Sequence, residues 1–244
     1  MGSWHIENGN LHIEMPAPHS QVLPYFPQYD IGKPAPGTIV AYDDPRNVAG
    51  HQQRGLLCYY ATRAFVESGG GVALDLGSAG VLHIGCLNLD MYGNGETPFY
   101  GGVVSGVNVK ADASDLSMFQ DNSFSCVLNS HLTEHLPCRK MRHDVTQEER
   151  FQFGCLGLEI IPILRDHWIR VLRPGGYLAM IIPDETFGLQ CGSSTLYFDN
   201  SHQHAWTADA FYDDIVRFLE DLVEIVSFNT LQNNFSMELV ARKR

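Results

Sequence analysis

Gly71-Val-Ala-Leu-Asp-Leu-Gly-Ser-Ala-Gly80 decides the reading of this chain. Val72 to Leu76 is a short, nearly continuous apolar run, as a strand buried on both faces requires. It leads straight into a glycine turn, with Asp75 just ahead of the first turn glycine, Gly77. Glycines let backbone amides approach a ligand closely and take φ values that other residues avoid. A strand–glycine turn of this kind builds a nucleotide cradle at the carboxyl end of a parallel strand, where open α/β sheets bind their ligands.

Working outward, further strands and helices alternate. Cys86 to Asp90, Val107 to Lys110, Phe124 to Asn129 and Tyr177 to Ile182 read as strands. Leu222 to Val226 and Phe235 to Ala241 close the series. Between them, Asn47 to Glu67 carries Leu57, Tyr60, Ala61, Ala64 and Phe65 at helical spacing, and Gly69-Gly-Gly71 ends it. Thr146-Gln-Glu-Glu149 has the capping-box spacing of a helix start. Pro162 is expected to kink or split the helical region that follows, because it removes a donor and crowds the preceding turn. Leu164, Trp168, Val171 and Leu172 form an apolar stripe ahead of Arg173-Pro-Gly-Gly176, and Thr207 to Leu219 reads as another helix. This alternation predicts a Rossmann-like α/β fold: a seven-stranded, mostly parallel sheet with helices on both faces and an antiparallel final strand. Residues 1–46, rich in Pro, Gly and aromatics such as Trp4, Tyr25, Phe26 and Tyr29, read as an arm or lid over a single domain spanning 47–244.

Bulk properties narrow the function. The chain has 244 residues, 44% of them hydrophobic, enough for one large core. A formal net charge of −12 argues against a nucleic-acid backbone as principal partner. Its one basic cluster is Arg139, Lys140, Arg142 and His143. No stretch is apolar enough to span a membrane, and Met1 to Asn10 lacks the apolar run of a secretory signal. Cys58, Cys86, Cys126, Cys138, Cys155 and Cys191 make no C-x-x-C pair, so a reduced, cytoplasmic setting is expected. The sequence carries no signal of oligomeric state.

Three blocks then stand together. Leu74-Asp-Leu-Gly-Ser-Ala-Gly80 is followed by Asn88-Leu-Asp90. Ala111-Asp-Ala-Ser-Asp-Leu116 precedes Asp121-Asn-Ser-Phe124 and Ser130-His-Leu-Thr-Glu-His-Leu-Pro137. Trp168-Ile-Arg-Val-Leu-Arg-Pro-Gly-Gly-Tyr177 runs on to Ile182-Pro-Asp184. Across residues 71–184 the chain resembles the class I S-adenosylmethionine-dependent methyltransferases, in their small-molecule (methyltransferase type 11-like) branch.

The resemblance implies S-adenosylmethionine as cofactor and methyl transfer to an O or N nucleophile of a small molecule. It implies that Asp90 accepts the ribose hydroxyls and Asp112 the adenine amino group, with the Ala113 amide on a ring nitrogen. Met91 and Leu116 would cover the adenine faces. Asp75, Gly77 and Asn129 would lie near the methionine tail, with Gly77, Ser78 and Gly80 shaping the loop. The chain departs from the family at Ala79 and Val81, where many relatives carry glycine. The short interval from Asp75 to Asp90 also leaves room for a loop such as Val81 to Gly85 in place of a crossover helix. These departures keep a non-catalytic, cofactor- or partner-binding relative in view. A nicotinamide-dependent oxidoreductase would use the same cradle, but the Pro-Gly-Gly block and the Asp112 segment speak against it.

Histidines cluster around the expected site. His131 and Glu134 fall at its mouth in the resemblance, while His135 reads as helix packing. His202, His204 and Trp206 lie on a loop after the fifth strand, where a histidine can serve as general base. Asp184, with Glu185, is a further candidate. His131-Leu-Thr-Glu-His135 also fits the H-x-x-E-H zinc-protease spacing. A third ligand on a following helix is not evident, however, and no metal is expected.

Overall fold

The computed structural model describes residues 3–7, 10–14, 71–78, 86–97, 104, 107–136, 160–186, 201–231 and 236–244. The helix read over 47–67, the capping box at 146–149, the basic cluster at 139–143 and the turn residues 79–85, Gly80 among them, lie outside these.

Two strands, β1 (Ser3–Glu7) and β2 (Asn10–Glu14), pair antiparallel with Glu7 opposite Asn10. The segment read as an aperiodic arm therefore contains a hairpin.

The main sheet holds β3 (Ala73–Leu76), β4 (Cys86–Asp90), β5 (Val109–Lys110), β6 (Phe124–Ser130), β7 (Leu172–Pro183), β8 (Val223–Leu231) and β9 (Ser236–Lys243). Their order is β5-β4-β3-β6-β7-β9-β8. Neighbours from β5 to β7 are parallel, and β9 is antiparallel to both β7 and β8. The sheet is thus seven-stranded and Rossmann-like, with its last strand reversed as the sequence predicts. Because β3, β4, β5, β6 and β7 point the same way, their carboxyl ends share one edge.

β6 is buried along its whole length, which explains its unbroken Phe-Ser-Cys-Val-Leu-Asn-Ser composition with no polar face. The larger core joins Leu74, Leu76, Val127, Leu178 and Met180 to Trp168, Phe211 and Leu239. Ala73, Cys126, Leu128, Ala179 and Val240 form a second cluster. Neighbours in sequence alternate between the clusters, as pleated strands require.

Helix α1 (Ile160–Ile163) passes through Pro162 and widens into a π-helical segment, Leu164–Ile169. The irregularity expected at Pro162 is therefore a wider turn beyond it, and the chain remains helical. Arg173-Pro-Gly-Gly176 does not precede the strand but sits inside β7 as a bulge. Leu172 pairs with Phe124 before it, and Tyr177 with Cys126 after it. A Cβ on Gly176 would stand 2.9 Å from the carbonyl oxygens of Arg173 and Ser125, so only glycine fits there.

Thr207 caps α2 (Ala208–Asp214), its hydroxyl accepting from the Ala210 amide at 3.3 Å. The helix read to Leu219 ends early, at Ile215. A 3₁₀ turn, Val216–Leu219, takes over and buries Val216 and Leu219. The β-branched pair Ile215-Val216 disfavours a continuous helix, and both side chains are drawn into the core. No helix among the described residues is long and apolar enough to cross a membrane.

Candidate functional site

The candidate site lies along the shared carboxyl edge. The sheet order places β3 and β6 at a topological switch point, since β4 and β5 build outward on one side and β7 on the other. Gly77 ends β3 with φ +65°, and its amide donates to the Leu89 carbonyl at 2.9 Å. A Cβ at Gly77 would lie 2.9 Å from Leu132 Cδ1. The loop is thus pressed against the segment that follows β6, and glycine is needed for both the dihedral and the close approach. Next to it, the Ser78 hydroxyl is fully buried and has no hydrogen-bond partner among the described residues.

The pleat decides which acids face each other. Leu74 and Leu76 belong to the larger core, so Asp75 between them lies on the other face, with Leu128 and Asn88 as its register partners. Its charge and, above all, burial push the Cys126 thiol well up, so that this cysteine is a neutral core group. Asp90 shares the face of Asp75, two residues beyond Asn88. It is buried at the end of β4, and its Oδ1 accepts from the Tyr92 amide at 2.9 Å. Asn129 pairs with Leu76 in register and falls on the opposite face. There its Oδ1 accepts from the Thr133 hydroxyl at 3.2 Å, and its buried Nδ2 has no partner among the described residues. Asp75 and Asn129 therefore flank the glycine turn from opposite faces of the sheet.

Beyond β5, Asp112 closes a short turn by accepting from the Ser114 amide at 2.8 Å. The π-helical segment holds this loop. Trp168 Nε1 donates to the Ala113 carbonyl at 2.8 Å, and the Leu116 amide donates to His167 Nδ1 at 3.0 Å. Arg170 donates through Nη2 to the Leu116 carbonyl at 2.7 Å and through Nη1 to that of Phe119 at 2.9 Å. These contacts leave the Ala113 amide out of the clamp. Leu116 is fully buried in the core, whereas Met91 is 63% exposed at the rim.

After β6 the segment 131–136 departs from the sequence reading. His131 has φ +52° and lies outside the short 3₁₀ turn Thr133–His135, so His131 and His135 do not share one helical face. A non-glycine residue in this region is uncommon and marks a locally imposed backbone, here one whose amide donates to the Ile181 carbonyl at 2.8 Å. His131 Nε2 lies 3.0 Å from the Ser236 hydroxyl and Nδ1 3.4 Å from Glu134 Oε1. The order Ser–His–Glu is that of hydrolase triads, but Ser236 is fully buried, so no acyl substrate reaches it.

Glu134 is 1% exposed and is ringed by imidazoles. His135 Nε2 lies 3.8 Å and His202 Nε2 4.0 Å from the same oxygen, Oε1. At these distances neither carboxylate oxygen has a hydrogen-bond partner among the described residues. Burial, the largest single influence, pushes the Glu134 carboxyl up. The nearby N–H and charge of His131 and the charges of His135 and His202 together outweigh it, holding the carboxyl below its ordinary value.

The loop after β7 completes the edge. Asp184 forms an isolated parallel bridge to Trp206, and its Oδ1 accepts from the Thr186 amide at 2.9 Å. His204 is buried, bonded through Nε2 to the Leu136 carbonyl at 3.1 Å and stacked on Trp206. His202 packs edge-on against His135, with ring centroids 4.7 Å apart. The Gln203 and His204 amides donate to the Glu134 carbonyl, which ties the two loops together. Of the four catalytic candidates, His131 and His202 thus converge on Glu134, while Asp184 and His204 are built into the loop scaffold. Trp168, His167 and Arg170 were not read as site residues. Their sequence signals are the apolar stripe that holds Trp168 and the Trp168-to-Tyr177 block that contains Trp168 and Arg170, neither of which marks them as site residues.

No protein-family model and no curated protein matches this chain. Among solved structures it is similar to the N-methyltransferase NodS from Bradyrhizobium japonicum WM9, in complex with S-adenosyl-l-homocysteine. That likeness has a TM-score of 0.44 and 13% identity, and it covers 84% of this chain and 93% of the other. It is also similar to a SAM-dependent methyltransferase from Archaeoglobus fulgidus, with a TM-score of 0.42 and 15% identity over 75% of this chain and 89% of that one.

Proposed function

We propose that this chain transfers a methyl group from S-adenosylmethionine to an O or N nucleophile of a small-molecule substrate. The observation that carries this is the cradle itself: a positive-φ glycine at the end of β3, a buried carboxylate at the end of β4 and an acid-bearing loop after β5, all on one edge. The residues fit the cofactor. Gly77 turns the chain with φ +65° against Leu132, and Ser78 Oγ and Asn129 Nδ2 are buried polar atoms at that edge without a hydrogen-bond partner among the described residues. Asp90 would accept the ribose hydroxyls. Asp112 and the Ala113 amide would read the adenine edge, with Met91 and Leu116 at its faces. Asp75, Gly77, Ser78, Gly80 and Asn129 would receive the methionine tail.

The bound cofactor supplies an electrophilic methyl on a sulfonium. Because that methyl is already activated, the protein's task is to position the acceptor in line and to exclude water. His131, at the strand end and backed by Glu134, is the side chain we assign to the acceptor's proton. His202 stands behind it through the same carboxylate, and Asp184 and His204 hold the loop that forms the outer wall. The acidity of the chain favours a compact metabolite over a polyanion.

The test is a pair of calorimetric titrations, with S-adenosylhomocysteine and with NAD. Saturable binding of S-adenosylhomocysteine alone is expected, and binding of NAD alone would overturn the proposal. A methyl-transfer screen over phenols, amines and sugar hydroxyls follows. Binding without transfer to any acceptor would favour a non-catalytic relative.

A further inference from the structure

The geometry points to a divalent transition-metal site, of the kind that takes Zn²⁺, formed by Glu134, His135 and His202. One donor atom from each lies within 4.8 Å of the others, the carboxylate and His202 buried and His135 half-buried. The set is two imidazoles and one carboxylate, which suits first-row divalent ions and leaves further positions for water or a ligand.

Several features separate this cluster from a chance gathering of polar groups. Glu134 is almost wholly buried, and neither of its oxygens has a hydrogen-bond partner among the described residues. A buried ionised carboxylate is costly unless it is paired or coordinates a cation; His131 Nδ1 at 3.4 Å is the near partner of Oε1, and Oε2 has none among the described residues. His135 has a neighbour that can fix its tautomer: its Nδ1 lies 2.8 Å from the Ser201 hydroxyl, which can accept the ring proton. With the ring proton on that bond, the Nε2 lone pair is directed towards Glu134, which is how ligating histidines are held in metal sites. His131 Nδ1, at 3.4 Å, steadies the carboxylate from the other side.

The dimensions come close. Tetrahedral ligands about 2.0–2.1 Å from zinc stand about 3.3–3.4 Å apart. The observed separations of 3.8 and 4.0 Å from Oε1, within a set whose atoms all lie within 4.8 Å of one another, must contract to reach that spacing, these two by about half an ångström. The His135 side chain is 25% exposed against 1% for Glu134, so the cluster opens to solvent on that side, giving an ion a way in. The cluster is not the H-x-x-E-H arrangement: His131 is not a ligand, and the third donor, His202, comes from the loop before α2. Methyl transfer from a sulfonium does not call for this ion; the site shares Glu134 and His202 with the proposed machinery, so it is tested by metal binding and not by activity.

Chelator-treated full-length protein titrated with Zn²⁺ in a non-coordinating buffer tests the inference, with Co²⁺ absorbance as a second reading of the ligand set. One ion per chain is expected. His202→Ala and Glu134→Gln should each weaken binding at least about tenfold, and Ser201→Ala by about 10–100-fold if it orients a ligand. Circular dichroism checks that each variant folds. If Glu134→Gln does not, His135→Ala, on the open side, carries the comparison. Absence of stoichiometric binding, or equal affinity in His135→Ala and the parent, overturns the site and leaves a carboxylate–histidine network.

Discussion

At the scale of single residues, Gly77 and Asp90 carry the most consequence. Gly77 combines φ +65° with a Cβ position only 2.9 Å from Leu132 Cδ1. An added methyl therefore meets two penalties: the left-handed backbone, worth about 1–2 kcal/mol, and a clash that the flexible Leu132 side chain can partly relieve. Gly77→Ala should lower the unfolding midpoint, and adding Leu132→Ala should recover the steric part but not the backbone part. A double-mutant cycle in denaturant separates the two, and strict additivity would disprove the contact. Asp90→Ala should weaken S-adenosylhomocysteine binding by about 1–3 kcal/mol, the worth of hydrogen bonds to a charged acceptor. Unchanged affinity in calorimetry would remove Asp90 from the site. Both residues were legible in the sequence, because a strand followed by glycine and an acid ending the next strand are local patterns. The convergence of His131, His135 and His202 on Glu134 was not. It depends on a loop some seventy residues downstream returning to the same edge, and on His131 leaving helical geometry.

At the scale of elements, the π-helical segment is the part that sequence patterning missed. Hydrophobic spacing finds Trp168 as a core residue. It does not show that His167, Trp168 and Arg170 each bond the backbone of the loop after β5. That requires the widened turn, which brings near-consecutive side chains to one target. Trp168→Phe keeps most of the volume and removes one bond, leaving the Ala113 carbonyl buried without its donor, at a cost of about 1–3 kcal/mol. If the loop reads adenine, the variant should also lose cofactor affinity severalfold; a loss of stability with unchanged affinity would restrict Trp168 to packing. Helix α2 gives a pH-dependent prediction. Burial first, and then the charge of Asp213, raise the Asp214 carboxyl above 3.8. A raised carboxyl favours folding fully below its unfolded value and loses that contribution as pH rises through the folded value. At neutral pH Asp214 is thus a charged group held unfavourably, at the negative end of a helix dipole. Asp214→Asn should stabilise the chain by about 0.3–1 kcal/mol at pH 7 and by nothing below pH 3.8. Equal gains at both pH values in thermal melts would count against the charge as the cause.

At the scale of the whole molecule, the order of the sheet and its charge act together. The alternation of elements made a seven-stranded sheet with a reversed last strand legible. The pairing of β9 between β7 and β8 is fixed by long-range register and has no local signature. The charge has a consequence that the fold alone does not. S-adenosylmethionine carries a sulfonium, an ammonium and a carboxylate, and so one net positive charge; the product S-adenosylhomocysteine, without the sulfonium, is neutral overall. A chain of net charge −12 attracts the first and is indifferent to the second at long range. Salt shortens that reach to about 8 Å at physiological ionic strength. The affinity for S-adenosylmethionine should therefore fall with added salt while that for S-adenosylhomocysteine stays nearly level, so that the ratio of their dissociation constants changes steadily. Because both ligands would use the same Asp90, Asp112 and Gly77 contacts, short-range bonding cancels in that ratio and the field remains. Calorimetric titrations of the two ligands across an ionic-strength series measure it directly. Parallel salt dependences would mean that the acidic surface plays no part in drawing the methyl donor in, and that the net charge serves solubility alone.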